Sequence, residues 1–166
     1  MSLNQPLIAE YKHEMANTRK ILALVPMEKY SWKPHEKSMS LGDLASHLAD
    51  MPTWVNFTIN FPELDFAKNY TTPAKISNGA ELLSSMDKNF EDAIKVLENT
   101  TDAQMFENWS LRNGDQVFFT LPKIAVLRSF VFSHNIHHRA QLGVYLRMLD
   151  IPLPGIYGPS ADDKGM

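Results

Sequence analysis

The sequence predicts an all-α fold: a four-helix bundle with long crossover loops and a small β-hairpin before the last helix. Four stretches repeat apolar residues at three- and four-residue spacing, the period of a helix with one buried face. Each is bounded by a capping residue or a proline, and the connections between them are long.

The first helix is expected from Asn4 to about Leu24, with Leu7, Ile8, Tyr11, Met15, Ile21 and Leu22 on its apolar stripe. Pro6 falls in the opening turn, where a missing N–H costs nothing, and Pro26 closes the helix. Ser40 is the N-cap of the second, with Asp43 three residues on. Its stripe of Leu41, Leu44, His47, Leu48, Met51, Trp54, Val55 and Phe57 runs to about Asn60. Pro52 lies inside that pattern and is expected to kink the helix, because the period continues through it. Residues 61–77 hold two prolines and no period, so they read as a long surface connection. Asn78, with Glu81 three residues later, starts the third helix, which reaches about Leu97 on a stripe of Leu82, Leu83, Met86, Phe90 and Ile94. Asn113-Gly114, flanked by Trp109, Leu111, Val117 and Phe119, signals a hairpin within residues 107–121. The fourth helix, capped by Thr120, is expected from about Pro122 to Leu149, roughly 40 Å long. The tail, residues 151–166, carries three prolines and three glycines and reads as irregular. With no repeat and no change of composition, residues 1–166 read as a single domain.

Composition narrows the function. Lys+Arg number 16 against 19 Asp+Glu, a net charge of −3, which gives no electrostatic footprint for nucleic acid. The longest apolar run, residues 124–132, is interrupted by Arg128 and is too short to cross a membrane. Glu10, Lys12, His13 and Glu14 break up the N-terminal stretch, so no signal peptide is expected and the cytoplasm is the expected compartment. Cysteine is absent, which removes disulfides, thiolate nucleophiles and cysteine-ligated metals.

Six histidines remain as the chemical inventory. His134 and His138 stand four apart and share the stripe of Leu127, Val131, Leu142, Tyr145 and Leu149, so both face the interior. His47 lies on the apolar side of the second helix, with Asp43 and Asp50 near it in sequence as acceptors for its other ring N–H. Two facing helices would thus bring three imidazoles to one point and leave a coordination position open, the arrangement of a reactive metal site. Buried histidines also serve as packing residues, and spacing alone leaves both readings open. His137 sits on the flank of its helix, while His13 and His35 lie among charged residues and read as solvated. No H-E-x-x-H, paired Glu-x-x-His, G-x-S-x-G, Walker or G-x-G-x-x-G pattern occurs.

Residues 44–50 (Leu-Ala-Ser-His-Leu-Ala-Asp) with Trp54, the segment His134-x-x-x-His138-Arg139-x-Gln141, and the tail Pro152-x-Pro154-x-Ile156-Tyr157-Gly158-Pro159-Ser160-Ala161-Asp162 together resemble the DinB-like (DinB/YfiT-like) superfamily of bacterial metal-binding four-helix bundles. The resemblance spans nearly the whole chain. It implies a divalent metal, commonly nickel, zinc or iron, held by His47, His134 and His138, and a homodimer. It also implies a small-molecule substrate, with a low-molecular-weight thiol as one class, since relatives include thiol-dependent S-transferases and isomerases. A metal in an open site would lower the pKa of a thiol or of a water, so transferase-like and hydrolase-like chemistry both remain. Trp54 and Tyr145 are expected as pocket walls, with Tyr157 and the tail behind it as a lid. The alternative is a non-catalytic metal- or ligand-binding bundle, or an interaction module.

Overall fold

A computed structural model of the chain describes residues 2–70, 76 and 78–164. The protein is mostly helical, but it also carries a three-stranded sheet, so the all-α expectation is corrected. Helix α1 spans Asn4–Leu22, and a short 3-10 turn, Met27–Lys29, follows it. Helices α2 (Leu41–Asp50) and α3 (Thr53–Asn60) form the second rod, followed by strand β1 (Glu63–Asp65) and helix α4 (Gly79–Glu98). A short α5 (Asp102–Met105) leads into strands β2 (Asn108–Asn113) and β3 (Gln116–Pro122). The last rod is α6 (Lys123–Val126), a π-helical segment Leu127–Phe132, and α7 (Ser133–Met148). Helix α1 packs on α4 and α7, and α2 packs on the same two.

Much of the core is the one the stripes predict, although Leu64, Met105 and Trp109 join it from outside them. Tyr11, Met15, Leu41, Leu44, Leu48, Met51, Leu82, Met86, Leu97, Leu127 and Leu142 are all buried. Ser40 caps α2 as expected, its Oγ accepting from Asp43 N at 3.1 Å. Asn78 caps α4, accepting from the backbone of Ala80 and Glu81. At Pro52 the rod divides into α2 and α3, with Met51-Pro52 as a two-residue turn between them. Met51 and Pro52 keep helical dihedrals, while Trp54 and Val55 donate to the carbonyls three residues back, the tighter pattern that a missing N–H imposes.

Three departures concern the second half. Residues 63–65, expected in a surface connection, form β1, which pairs parallel with β2 and buries Leu64 and Asp65; residues 71–75 and 77 of that connection lie outside the described residues. Thr120 does not cap the last helix: it lies in β3, where its hydroxyl meets Ser110 Oγ at 2.7 Å, and Pro122 precedes the first helical turn. The hairpin forms, with Asn113 paired to Gln116 and Gly114-Asp115 as the loop. Gly114 has φ +58° and Asp115 is not left-handed, so only the first loop residue needs glycine's freedom. The sheet is pinned to the second rod by Trp109, whose Nε1 donates to Phe57 O at 3.1 Å. The buried Lys123 donates to Ile59 O at 2.8 Å and pairs with Glu107, placing a cation at the C-terminal end of α3.

The π-helical segment departs from the uniform period expected for the last rod. Phe130, Val131 and Phe132 are consecutive and all contact the interior, which an α-turn cannot satisfy at once. The wider turn sends Phe132 onto Tyr11 (ring centroids 4.4 Å apart, nearly parallel) and Phe130 toward Trp54 (5.3 Å).

Candidate metal centre

Helices α2 and α7 face each other and bring His47, His134 and His138 together: one nitrogen from each lies within 4.8 Å of the others. The ring centroids of His47 stand 5.4 Å from His134 and 4.8 Å from His138. All three side chains are half-buried. Burial lowers the pKa of His47 to about 4, reinforced by the charge His138 would carry. Burial likewise lowers His134 to about 4, with further repulsion from His138, His47 and His137. His138 is lowered too, again chiefly by burial, although its hydrogen bond to Gln141 opposes the shift. All three are therefore neutral near pH 7 and present lone pairs, the state a metal requires.

The donor set suits a divalent ion: three neutral imidazoles, no carboxylate among them, and a buried His134 Nδ1 with no hydrogen-bond partner. In the structure His134 Nε2 and His138 Nε2 are 2.7 Å apart and share a hydrogen bond. Two ligand atoms on one tetrahedral zinc stand about 3.3 Å apart, so these rings must part slightly to bind one ion. Asp43, considered from the sequence as an acceptor for His47, receives the Ser40 hydroxyl at 2.5 Å, and Asp50 receives Thr53 Oγ1 at 3.5 Å. The shift of His47 accordingly comes from burial and a neighbouring imidazole, with no carboxylate contribution.

Trp54 is buried, its ring edge-on to His134 at 5.8 Å, and its Nε1 has no partner. Tyr145, on the same face of α7 as the two histidines, packs edge-on against Trp32 at 5.6 Å. Tyr157 is not brought to this group. Its hydroxyl donates to Glu14 at 2.6 Å and accepts from Arg139 at 2.5 Å, and Arg139 lies on the opposite face of α7. A cavity of about 210 Å³ opens on that opposite face, lined by Ile136, Arg139, Ala140, Gly143 and the tail. His13 and His35 are exposed, hydrogen-bonded to Asn17 and to the backbone of Lys37, and His137 is exposed beside His138. Two contributors were given no role from the sequence, although Gln141 lies in the segment that carries the resemblance. Phe130, its ring 5.4 Å from His134, stands four residues before that histidine, and this spacing was the signal that could have marked it. Gln141 accepts from His138 Nδ1 at 2.7 Å; its signal was its place three residues after a core histidine.

Among the described residues, no helix is long and apolar enough to cross a membrane. The chain is 24% identical over 160 residues to uncharacterized protein YrdA of Bacillus subtilis (strain 168), covering 94% of this chain and 89% of that one. Its fold matches the crystal structure of a DinB-like protein, YjoA, from Bacillus subtilis, with TM-score 0.69 and 20% identity over 90% of this chain and 97% of the other. A DinB-like protein from Bacillus cereus ATCC 10987 gives TM-score 0.67 at 21% identity, covering 90% and 94%. A member of the same family from Exiguobacterium sibiricum 255-15 gives 0.64 at 19%, covering 92% and 96%. The DinB family model matches residues 1–164, and the chain belongs to the DinB family.

Proposed function

We propose that the protein is a divalent-metal-dependent enzyme acting on a small molecule, with His47, His134 and His138 as ligands and a coordination position left for substrate. The observation that carries this reading is the convergence of three neutral imidazoles from two helices within 4.8 Å. The ring of contacts α1–α4–α2–α7 is read as a four-helix bundle, which holds the two ligand-bearing helices face to face. Bound there, nickel, zinc or iron would supply a Lewis acid that favours the anion of a thiol or water at neutral pH. The chain's own part is to keep the imidazoles unprotonated and to wall the site with Trp54, Phe130 and Tyr145. Without a cysteine of its own, the protein would draw any thiolate from a low-molecular-weight thiol, which favours thiol transfer to an electrophile over a protein-thiol mechanism; hydrolysis is the alternative for the same site.

The test is metal uptake by chelator-stripped protein, followed by competition with a chromophoric chelator. His47→Ala, His134→Ala and His138→Ala should each abolish tight binding, while His13→Ala and His35→Ala should leave it intact. Equal uptake by all five variants, or none by the parent chain, would refute the metal centre. The 2.7 Å contact between His134 and His138 favours a second reading, in which the histidines pack as a hydrogen-bonded cluster and the bundle is not catalytic. In that case the three variants lose stability by about 1–3 kcal/mol and metal content does not change.

A further inference from the structure

We propose that Gln141 is a positioning residue that fixes where the protons sit in the imidazole cluster, keeping Nε2 of His138 unprotonated and turned toward His134. The inference rests on the metal reading above for its purpose, and on three hydrogen-bonding observations for its content. His138 Nδ1 is 2.7 Å from Gln141 Oε1. His138 Nε2 is 2.7 Å from His134 Nε2. His134 Nδ1 is buried with no partner.

A neutral imidazole carries one N–H and one lone pair, so the three observations constrain one another. If His138 carries its proton on Nδ1, it donates to Gln141 Oε1 and its Nε2 is a lone pair. That lone pair must then accept from His134 Nε2–H, which leaves His134 Nδ1 as a bare acceptor. Every donor is satisfied, and the single orphan is an acceptor, the cheaper kind to bury. The reverse assignment puts the His138 proton on Nε2. Two acceptors then oppose each other at 2.7 Å, and His134 carries a buried N–H with nothing to receive it. Turning the Gln141 amide removes the first conflict and leaves the second. Only one pattern closes, and the Gln141 carbonyl favours it together with the buried, partnerless Nδ1 of His134.

The consequence for a metal is an asymmetry within the pair. His138 is already in the tautomer that ligates through Nε2, held by a partner on its other nitrogen. His134 carries its proton on the nitrogen that faces the cluster and must move it before it can ligate. Gln141 thereby prepares the first ligand, and replacing it should weaken uptake without disturbing the fold, because its side chain lies at the exposed edge of α7.

The experiment uses the metal-free 166-residue chain and long-range proton–nitrogen NMR of its histidines. In the parent, His138 should appear as the Nδ1–H form and His134 as the Nε2–H form. Gln141→Ala should release His138 toward the Nε2–H form and lower zinc affinity roughly 10–100-fold, with the circular dichroism spectrum unchanged. Gln141→Glu, which restores an acceptor, should restore both the tautomer and the affinity. An unchanged His138 tautomer in Gln141→Ala overturns the inference. A parent chain that binds no zinc while its tautomer still follows residue 141 upholds the assignment and refutes the metal reading, so the two failures are distinguishable.

Discussion

His47 and His134 sit on the apolar faces of their helices, and their pKa values, lowered to about 4, make their neutrality a property of the fold. In the unfolded chain both would titrate near ~6.5, so between about pH 6.5 and 4 the unfolded state holds more protons than the folded one. Stability therefore rises with pH across that window. The contribution is complete above pH ~6.5, is lost as pH falls, and changes no further below ~4. The melting temperature of metal-free protein should drop on acidification through this range, and His47→Gln should have a shallower slope because one titrating ring is gone. Parallel profiles for the two proteins would show that His47 titrates normally, and the electrostatic description of the cluster would be wrong. Metal-loaded protein should release its ion in the same direction, since a protonated imidazole has no lone pair to give.

Helix α2 shows what the element scale adds. Its first N–H groups are all placed: Leu41 donates to Trp32 O at 2.9 Å, Gly42 to Tyr30 O at 2.8 Å, and Asp43 to the Ser40 cap. This close docking of the preceding turn is why residue 42 is glycine, for a Cβ there would lie only 2.1 Å from Tyr30 Cδ1. Gly42→Ala should thus destabilise the protein by about 1–3 kcal/mol despite alanine's better helix propensity, measured by urea unfolding. A gain in stability would show that Tyr30 can swing away at no cost. The Ser40 and Asn78 caps were legible because capping is local chemistry, and the two histidines of α7 because spacing four on an apolar face fixes their direction. Strand β1 was not legible: it is three residues long, and its partner β2 lies far along the chain. The π-turn was hidden because an apolar stripe tolerates one extra residue without losing its look. Thr120 suits a cap as well as a strand, and only its contact with Ser110 decides. The capping box of Thr101 and Gln104 starts a four-residue helix too short to show any stripe.

At the scale of the whole molecule, the face of α7 opposite the histidines is held by a buried ion pair that joins three distant parts of the chain. Arg139 pairs with Glu14 of α1 at 2.7 Å, donates to Glu14 O at 2.9 Å, and holds the Tyr157 hydroxyl of the tail. Both charged side chains are at least nine-tenths buried, so removing one strands the other. Arg139→Ala should therefore cost about 3–5 kcal/mol, most of it the penalty of an unpaired Glu14 carboxylate. Tyr157→Phe, which removes two hydrogen bonds from a side chain that is otherwise exposed, should cost about 1–2 kcal/mol. Replacing both charges together, Glu14→Leu with Arg139→Met, should recover most of the loss, because an apolar pair of similar volume no longer pays for desolvation. A double-mutant cycle by urea unfolding measures the coupling. Additive single-variant losses would mean that the two charges act independently and that packing of the tail, not the ion pair, joins α1 to α7. Strong coupling would make the tail part of the clamp that fixes the helix carrying two of the three histidines, with the clamp and the candidate metal centre on opposite faces of one rod.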